Sequence, residues 1–148
     1  MAIFRKIHTS FWSDSFISEL NPDQKLFYLY ILTNERTHQC GIYEITKKQI
    51  AFDLGYTMDR VSILLKYFIS CGKIRYSEKT NEIAIKNWPK FNESESIKVK
   101  TCINEGIEKV KDKVLIEYLY SMDTQPQEEE EEEEKEEEKK EEKEEEKI

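Results

Sequence analysis

The sequence has few of the residues from which catalytic and metal-binding sites are usually built. Its 148 residues include only three cysteines, two histidines and four glycines. The cysteines lie far apart, no CxxC pair occurs, and His38 with Cys40 would supply only two ligands of a tetrahedral site. There is no glycine-rich phosphate loop and no His and Cys pair beside an acid. We therefore expect a protein that is not an enzyme, has no cofactor or metal, and keeps its thiols reduced.

Long apolar runs are also missing. No stretch approaches the roughly 20 apolar residues that are needed to span a bilayer. The first residues, MAIFRKIHTSFW, lack the apolar segment and the small-residue cleavage site of a signal peptide. The sequence thus predicts a cytoplasmic protein without a membrane partner.

Charge is distributed unevenly along the chain. The formal net charge is -8, but residues 128–148 alone hold 15 Glu and 5 Lys, a net charge of -10. Residues 1–92 carry a net charge of +4, and residues 93–127 carry -2. The acidity therefore belongs to the C-terminal segment, and the small positive excess of the N-terminal part permits a face that binds DNA.

Composition and periodicity divide the chain into four parts. Residues 1–92 are predicted to form one domain, and residues 93–122 an amphipathic helical extension. Residues 123–127 form a linker, and the Glu-rich tail of residues 128–148 is expected to be disordered or a frayed helix. The tail is either a solvated extension or a DNA mimic that folds back on a basic face.

The first part of the domain is predicted to form two helices. Ser13 is expected to cap a short helix, and Asn21 followed by Pro22 is expected to begin a longer one. Apolar residues at helical spacing face the core in both helices: Phe16, Ile17 and Leu20 in the first, and Leu26, Phe27, Tyr30 and Ile31 in the second.

The next segment carries the pattern of a helix-turn-helix. A short strand over residues 41–45 is followed by Thr46, which caps the helix KKQIAFDL and is followed by Gly55 at its end. After a tight turn, Thr57 caps the helix MDRVSILLKYFISC, which Gly72 terminates. The residues expected to face the core are Ile50, Ala51 and Leu54 in one helix and Val61, Leu64, Leu65 and Phe68 in the other.

A β-hairpin follows the two helices. Residues 73–77 and 82–86 alternate between apolar and polar side chains, and residues 78–81 make the turn. Strand, helix, helix, hairpin is the order of a winged helix. The predicted fold is therefore α+β, a winged helix-turn-helix with a small β-hairpin wing and C-terminal helices. The inward side chains are Ile74, Tyr76, Ile83 and Ile85, and Trp88 is expected to cover the edge of the core.

The helical extension is too short to form a core of its own. It must pack on the winged helix or on a second copy of the chain. Gly106 is expected to weaken its first helix. The apolar positions are Ile97, Cys102, Ile103, Ile107 and Val110 in one segment, and Val114, Leu115, Tyr118 and Leu119 in the next.

A winged helix of this sequence would present three groups of polar residues to double-stranded DNA. The first turns of the second helix would enter the major groove, where Arg60 can pair with guanine. The start of the preceding helix would bind phosphate, and the wing would add salt-dependent affinity. The candidate residues are Thr57, Asp59, Arg60, Ser62 and Lys66 in the groove, Thr46, Lys47 and Lys48 at the helix start, and Lys73, Arg75, Lys79 and Lys86 on the wing.

Two residues of the second helix favour a different function. Asp59 would repel phosphate, and Ile63 turns an apolar side chain outward, which is typical of a protein contact. Alternatives to DNA binding in replication are therefore a winged-helix module for oligomerisation and protein interaction, and a transcriptional regulator, because one fold serves all three functions.

The chain also resembles a known family. It is similar to the N-terminal domain of phage replication initiators, the DnaD-like replisome organisers of phages and prophages of low-GC Gram-positive bacteria. The resemblance covers residues 3 to about 92 and is most specific in three pieces. The matching segments are RKIHTSFWSD, LNPDQKLFYLYILTNERTHQCGIYEI, KKQIAFDLGY, VSILLKYF, GKIRY and EIAIKNWPKFN, of which KLFYLYILTN, GIYEI and EIAIKNW are the most specific.

The resemblance implies a winged-helix domain that binds origin DNA or associates with further copies of itself. It also implies the replicative helicase or its loader as a partner. The sequence departs from the family at its C-terminal end, where many relatives carry a helical helicase-loading domain and this chain has the Glu-rich tail. That departure puts the helicase-side contact in question.

Overall fold

The computed structural model of the chain describes residues 4–88 and 96–120. The predictions for the linker of residues 123–127 and for the tail of residues 128–148 lie outside this part. A 3-10 helix at Thr9–Ser13 comes first. The elements that follow are α1 (Ser15–Ser18), α2 (Pro22–Thr33), β1 (Ile42–Glu44), α3 (Lys47–Leu54), α4 (Met58–Ser70), β2 (Ile74–Ser77), β3 (Glu82–Ile85), α5 (Ile97–Lys109) and α6 (Val114–Tyr120).

The described residues form an α+β fold with a three-stranded antiparallel sheet. The strand order is β1-β3-β2, so the last strand in the chain lies in the middle. Ala84 of β3 lies opposite both Ile42 and Arg75, which fixes the register on the two sides. This order of helices and strands is compatible with a winged helix. Within residues 4–88 and 96–120, every helix is too short or too polar to cross a bilayer.

Most of the predicted helix caps are confirmed. The side chains of Asn21, Thr46 and Thr57 each accept a hydrogen bond from a backbone N–H in the first turn of α2, α3 and α4. The prediction for Ser13 is wrong, because the chain first makes a 3-10 turn that ends at this residue. Asp14 caps α1 instead, since its carboxylate accepts from the N–H groups of Phe16 and Ile17.

The core lies between α2, α3, α4 and the sheet. The predicted inward positions of α4 are all buried. In α2 the prediction is wrong for Leu26, which is 47% exposed, whereas Tyr28 is buried and stacks on Phe68 with 5.2 Å between ring centroids. The reason is that the N-terminal segment packs on the Tyr28 side of α2, through the rings of Phe11 and Phe16. Helical spacing alone does not say on which side such a segment will lie.

The helical extension packs on the N-terminal elements of the same chain. Leu115, Tyr118 and Leu119 of α6 are buried, and α6 contacts β3. Glu82 of β3 is 5% exposed, and its carboxylate accepts from the backbone N–H groups of Lys111 (3.0 Å) and Asp112 (2.8 Å). Three other predicted core positions are wrong. Ile97 and Val114 are exposed at 82% and 59%, and Cys102 is exposed as well.

Gly106 of α5 lies against residues 38–40. A Cβ atom at this position would lie 2.3 Å from Cε1 and 2.6 Å from Nδ1 of His38, and 3.0 Å from the sulfur of Cys40. The absence of a side chain therefore allows the close contact between α5 and residues 38–40. The expectation that Gly106 only weakens the helix overlooked this contact.

Candidate nucleic-acid interface

Helices α3 and α4 form a compact unit, here called the α3–α4 unit (residues 47–70). Three residues join the two helices, and Gly55 begins the turn in the left-handed conformation with φ of 73°. The N–H of Tyr56 then donates to the carbonyl of Ala51 at 3.0 Å, which closes the end of α3. The turn therefore sets α4 at a fixed angle to α3 and exposes the start of α4.

The predicted hydroxyl contacts lie at the starts of these two helices. The Oγ1 of Thr46 accepts from the N–H of Gln49 at 3.1 Å, and the Oγ1 of Thr57 accepts from the N–H of Arg60 at 3.2 Å. Each hydroxyl serves its cap as an acceptor, so its own hydrogen remains available for a phosphate oxygen. Both threonines are exposed at the surface.

Arg60, the predicted guanine reader, is held in an ion pair with Asp23 of α2. Asp23 also accepts a hydrogen bond from the Oη of Tyr56 at 3.1 Å. The hydrogen bond from Arg60, and after it the one from Tyr56, lowers the pKa of the Asp23 carboxyl below its ordinary value. The guanidinium is about half exposed, so a DNA base has to compete with this carboxylate for it.

Lys47, a predicted phosphate contact, is engaged in a similar way. Its Nζ lies 2.7 Å from a carboxylate oxygen of Glu78 and 5.9 Å from the centroid of the Tyr76 ring. Burial, followed by the neighbouring charge of Glu78, raises the pKa of Tyr76 to about 12. The ion pair ties the start of α3 to the turn of the hairpin, which helps to hold the two parts of the surface together.

Three predicted lysines remain exposed and unengaged. Lys48, Lys66 and Lys79 are exposed, and residues 4–88 and 96–120 offer them neither a hydrogen bond nor an ion pair. Asp59 is also exposed, while Ser62 is only partly exposed. These three lysines are the cations of the predicted surface that are free to meet phosphate.

The other wing residues lie elsewhere. Lys86 is 4% exposed, so the prediction that it lies on an open face of the wing is wrong. Lys73 is half-buried, and its Nζ lies 4.5 Å from the centroid of the Phe16 ring. The guanidinium of Arg75 is exposed but stacks on Tyr118 of α6 at 4.6 Å. The N-terminal segment and α6 cover surfaces of the hairpin that sequence reasoning left open.

The sequence does not indicate which two carboxylates form ion pairs with the predicted cations. Asp23 lies in the first turn of α2, and Glu78 lies in the segment that was predicted to make the turn of the hairpin. Asp23 and Arg60 are 37 residues apart in sequence, and no local pattern links them. The charge of Arg60 predicts an acidic partner, but the sequence does not indicate which acid it is.

The described residues contain no group of three or more His, Cys, Asp or Glu side chains that is placed to hold a metal ion. His38 and Cys40 do lie close together, and the Nε2 of His38 lies 3.9 Å from the sulfur of Cys102. Comparisons of the chain with protein-family models, with curated proteins and with solved structures gave no match.

Proposed function

We propose that the chain is a winged-helix protein that binds double-stranded DNA and acts in the initiation of DNA replication in a phage or prophage. The observation that carries the DNA-binding part is the α3–α4 unit, which presents Lys48 and Lys66 exposed and unengaged, together with the exposed Lys79 in the turn of the hairpin. The place in replication rests on the resemblance of residues 3 to about 92 to the replication initiators.

In this proposal α4 enters the major groove with its first turns, because Thr57, Asp59 and Arg60 lie at its exposed start. Lys66 lies two turns further along and would bind phosphate, as would Lys48 at the start of α3. Such contacts release counterions from DNA, and affinity then falls steeply with salt.

Arg60 would also help the protein to distinguish specific from non-specific DNA, because its guanidinium must leave the carboxylate of Asp23 before it can bind a base. The exchange is favourable only where guanine offers two acceptors in the right place. On other sequences, Arg60 stays with Asp23 and the carboxylate repels the backbone. The ion pair would therefore weaken non-specific binding more than specific binding.

The test is binding of the full chain to a labelled DNA duplex by fluorescence anisotropy, at salt concentrations between about 50 and 200 mM. The double variant K48E/K66E is compared with K98E/K100E, which changes the net charge equally at exposed positions of α5. We expect K48E/K66E to reduce the slope of log affinity against log salt by about 1 for each lysine removed. An equal effect of both variants, or no binding at low salt, would contradict the proposal.

A specific observation favours a second function, an oligomerisation module. Four large apolar side chains of the α3–α4 unit are exposed: Phe52 at 83%, Ile63 at 61%, Met58 at 48% and Ile69 at 41%. Exposed apolar groups on two adjacent helices are typical of a surface that contacts protein.

Sedimentation velocity at increasing concentrations separates the two functions. If the chain is an oligomerisation module, Ile63→Glu should dissociate its assembly. Val114→Glu is the control and should leave the assembly intact, because Val114 is comparably exposed but lies on α6. A chain that stays monomeric at every concentration would rule out the oligomerisation module.

A further inference from the structure

Ile63 is the most exposed of the large apolar side chains of α4, at 61%. It lies in the second turn of the helix, which begins at Met58. Val61, Leu64 and Phe68 are buried and hold α4 to the core by another face of the helix. Ile63 therefore points away from the core, in the N-terminal half of α4, from which a recognition helix reaches base edges.

Charged side chains are the exposed neighbours of Ile63 on α4. In an α-helix, the residues three and four positions away are the nearest neighbours on the surface. For Ile63 these residues are Asp59, Arg60, Lys66 and Tyr67. The first three are exposed, and Tyr67 is partly buried. An isoleucine in this position is thus an apolar group inside a charged rim.

This charged rim favours DNA over protein as the partner of Ile63. The cores of protein interfaces are depleted in charged residues, and a partner protein would desolvate three charged groups in order to cover one isoleucine. The floor of the major groove is mostly polar and carries one apolar group, the C5-methyl of thymine. Lys66 on the same helix and Lys48 at the start of α3 are exposed, and their positive charge is complementary to the phosphates of DNA.

We propose that Ile63 is a specificity-determining residue that contacts the C5-methyl group of a thymine in the major groove, a contact that rests on the proposed binding of DNA by α4. Contact with the isoleucine removes the methyl group from water, and the burial of one such group changes affinity about fourfold. Asp59, one turn earlier, faces the base edges in the same arrangement, where the amino group of cytosine offers its carboxylate a donor.

The test compares thymine with uracil, which lacks only the C5-methyl group. A preferred duplex is first selected from a random library with the full chain. Each thymine of the selected site is then replaced by uracil in turn, and the affinity is measured by fluorescence anisotropy at low salt. We expect at least one replacement to weaken binding by the unaltered chain about three- to fivefold.

Two variants assign the methyl contact to Ile63. Ile63→Ala shortens the side chain and should bind the thymine and uracil forms of the site with equal affinity. Ile69→Ala is the matched control, because Ile69 is also an exposed isoleucine of α4 but lies about 120° around the helix axis from Ile63. This variant should keep the preference for thymine.

The possible results separate the thymine contact from DNA binding itself. A selected site without thymine, or equal binding of thymine and uracil by the unaltered chain at every position, overturns the contact while the proposed function stands. An Ile63→Ala variant that keeps the preference of the unaltered chain does the same. A chain that binds no duplex at low salt contradicts the proposed function and the contact together.

Discussion

Substitution of Gly106 by alanine sets two physical effects against each other. Alanine favours a helix over glycine by about 1 kcal/mol. Its Cβ would, however, lie 2.3 Å from Cε1 of His38, which is far inside van der Waals contact. Overpacking of this kind typically costs about 1–3 kcal/mol.

The clash at Gly106 is hard to relieve. If the His38 ring moves, its Nδ1 gives up the hydrogen bond that it accepts from the N–H of Cys40 at 3.0 Å, at a cost of about 0.5–1.5 kcal/mol. If α5 moves outward instead, Ile103 and Ile107 lose part of their contact with the core. The upper half of the overpacking range, about 2–3 kcal/mol, therefore applies. After the helix gain of about 1 kcal/mol is subtracted, we expect Gly106→Ala to lower the free energy of unfolding by about 1–2 kcal/mol.

Urea unfolding, followed by circular dichroism, measures this change. Asn104→Ala is the matched control, because Asn104 is exposed on the same helix and its replacement should be neutral or slightly stabilising. Adding His38→Ala to Gly106→Ala should recover much of the loss, because the clashing ring is removed. Stabilisation by Gly106→Ala alone would refute the close approach of α5 to residues 38–40.

Three further predictions follow from the contacts described. Replacement of Glu82 by alanine should lower the free energy of unfolding by about 2–4 kcal/mol in urea titrations, because two partly buried backbone N–H groups lose a charged acceptor. Glu82→Gln should have a smaller effect, and no difference from the unaltered chain would mean that Glu82 does not anchor α6. Burial, and then Arg5, lowers the pKa of His38 below its ordinary value of 6.5. The unfolded chain therefore binds a proton at His38 more readily than the folded chain, and the free energy of unfolding should fall as the pH is lowered from neutral through 6.5. A His38→Gln variant should lack this pH-dependent loss of stability. The same pH profile for the variant and the unaltered chain would contradict the prediction. Asp23→Asn should raise DNA affinity at low salt by a factor of a few in the anisotropy assay, because it releases Arg60 and removes a negative charge. Glu117→Gln, which removes the same charge from an exposed position of α6, should have less effect.

The parts of the fold that depend on neighbours in sequence were predictable. The caps at Asn21, Thr46 and Thr57 are set by side chains that lie three residues from the N–H groups they bind. The buried face of α4 follows from the period of its apolar residues. Strand alternation likewise placed Ile83 and Ile85 in the core.

The parts that depend on which surfaces meet were not predictable. Alternation placed Lys86 on a solvated face, but the middle strand of this sheet is covered on both sides. Nothing local indicates that the N-terminal segment and α6 pack there. The same limit applies to Gly106, whose role depends on a loop that is more than 60 residues away in sequence.

The location of the candidate interface was predictable from the sequence, but the pairing of its cations with carboxylates was not. The cations named from the sequence do lie in and around the α3–α4 unit at Lys47, Lys48, Arg60 and Lys66. Two of them, Lys47 and Arg60, are engaged by carboxylates from other elements. Pairings of this kind depend on tertiary distances, which composition and periodicity do not contain.

The most direct test of the central claim is a map of the DNA-binding face by amide NMR. The full chain, labelled with nitrogen-15, is titrated with a DNA duplex at low salt, and the shifted signals are assigned to residues. The account predicts shifts at the start of α3, in the first turns of α4 and at the hairpin turn, with Lys48, Arg60 and Lys79 among them. Shifts confined to α5 and α6, or an unchanged spectrum with excess duplex, would contradict it.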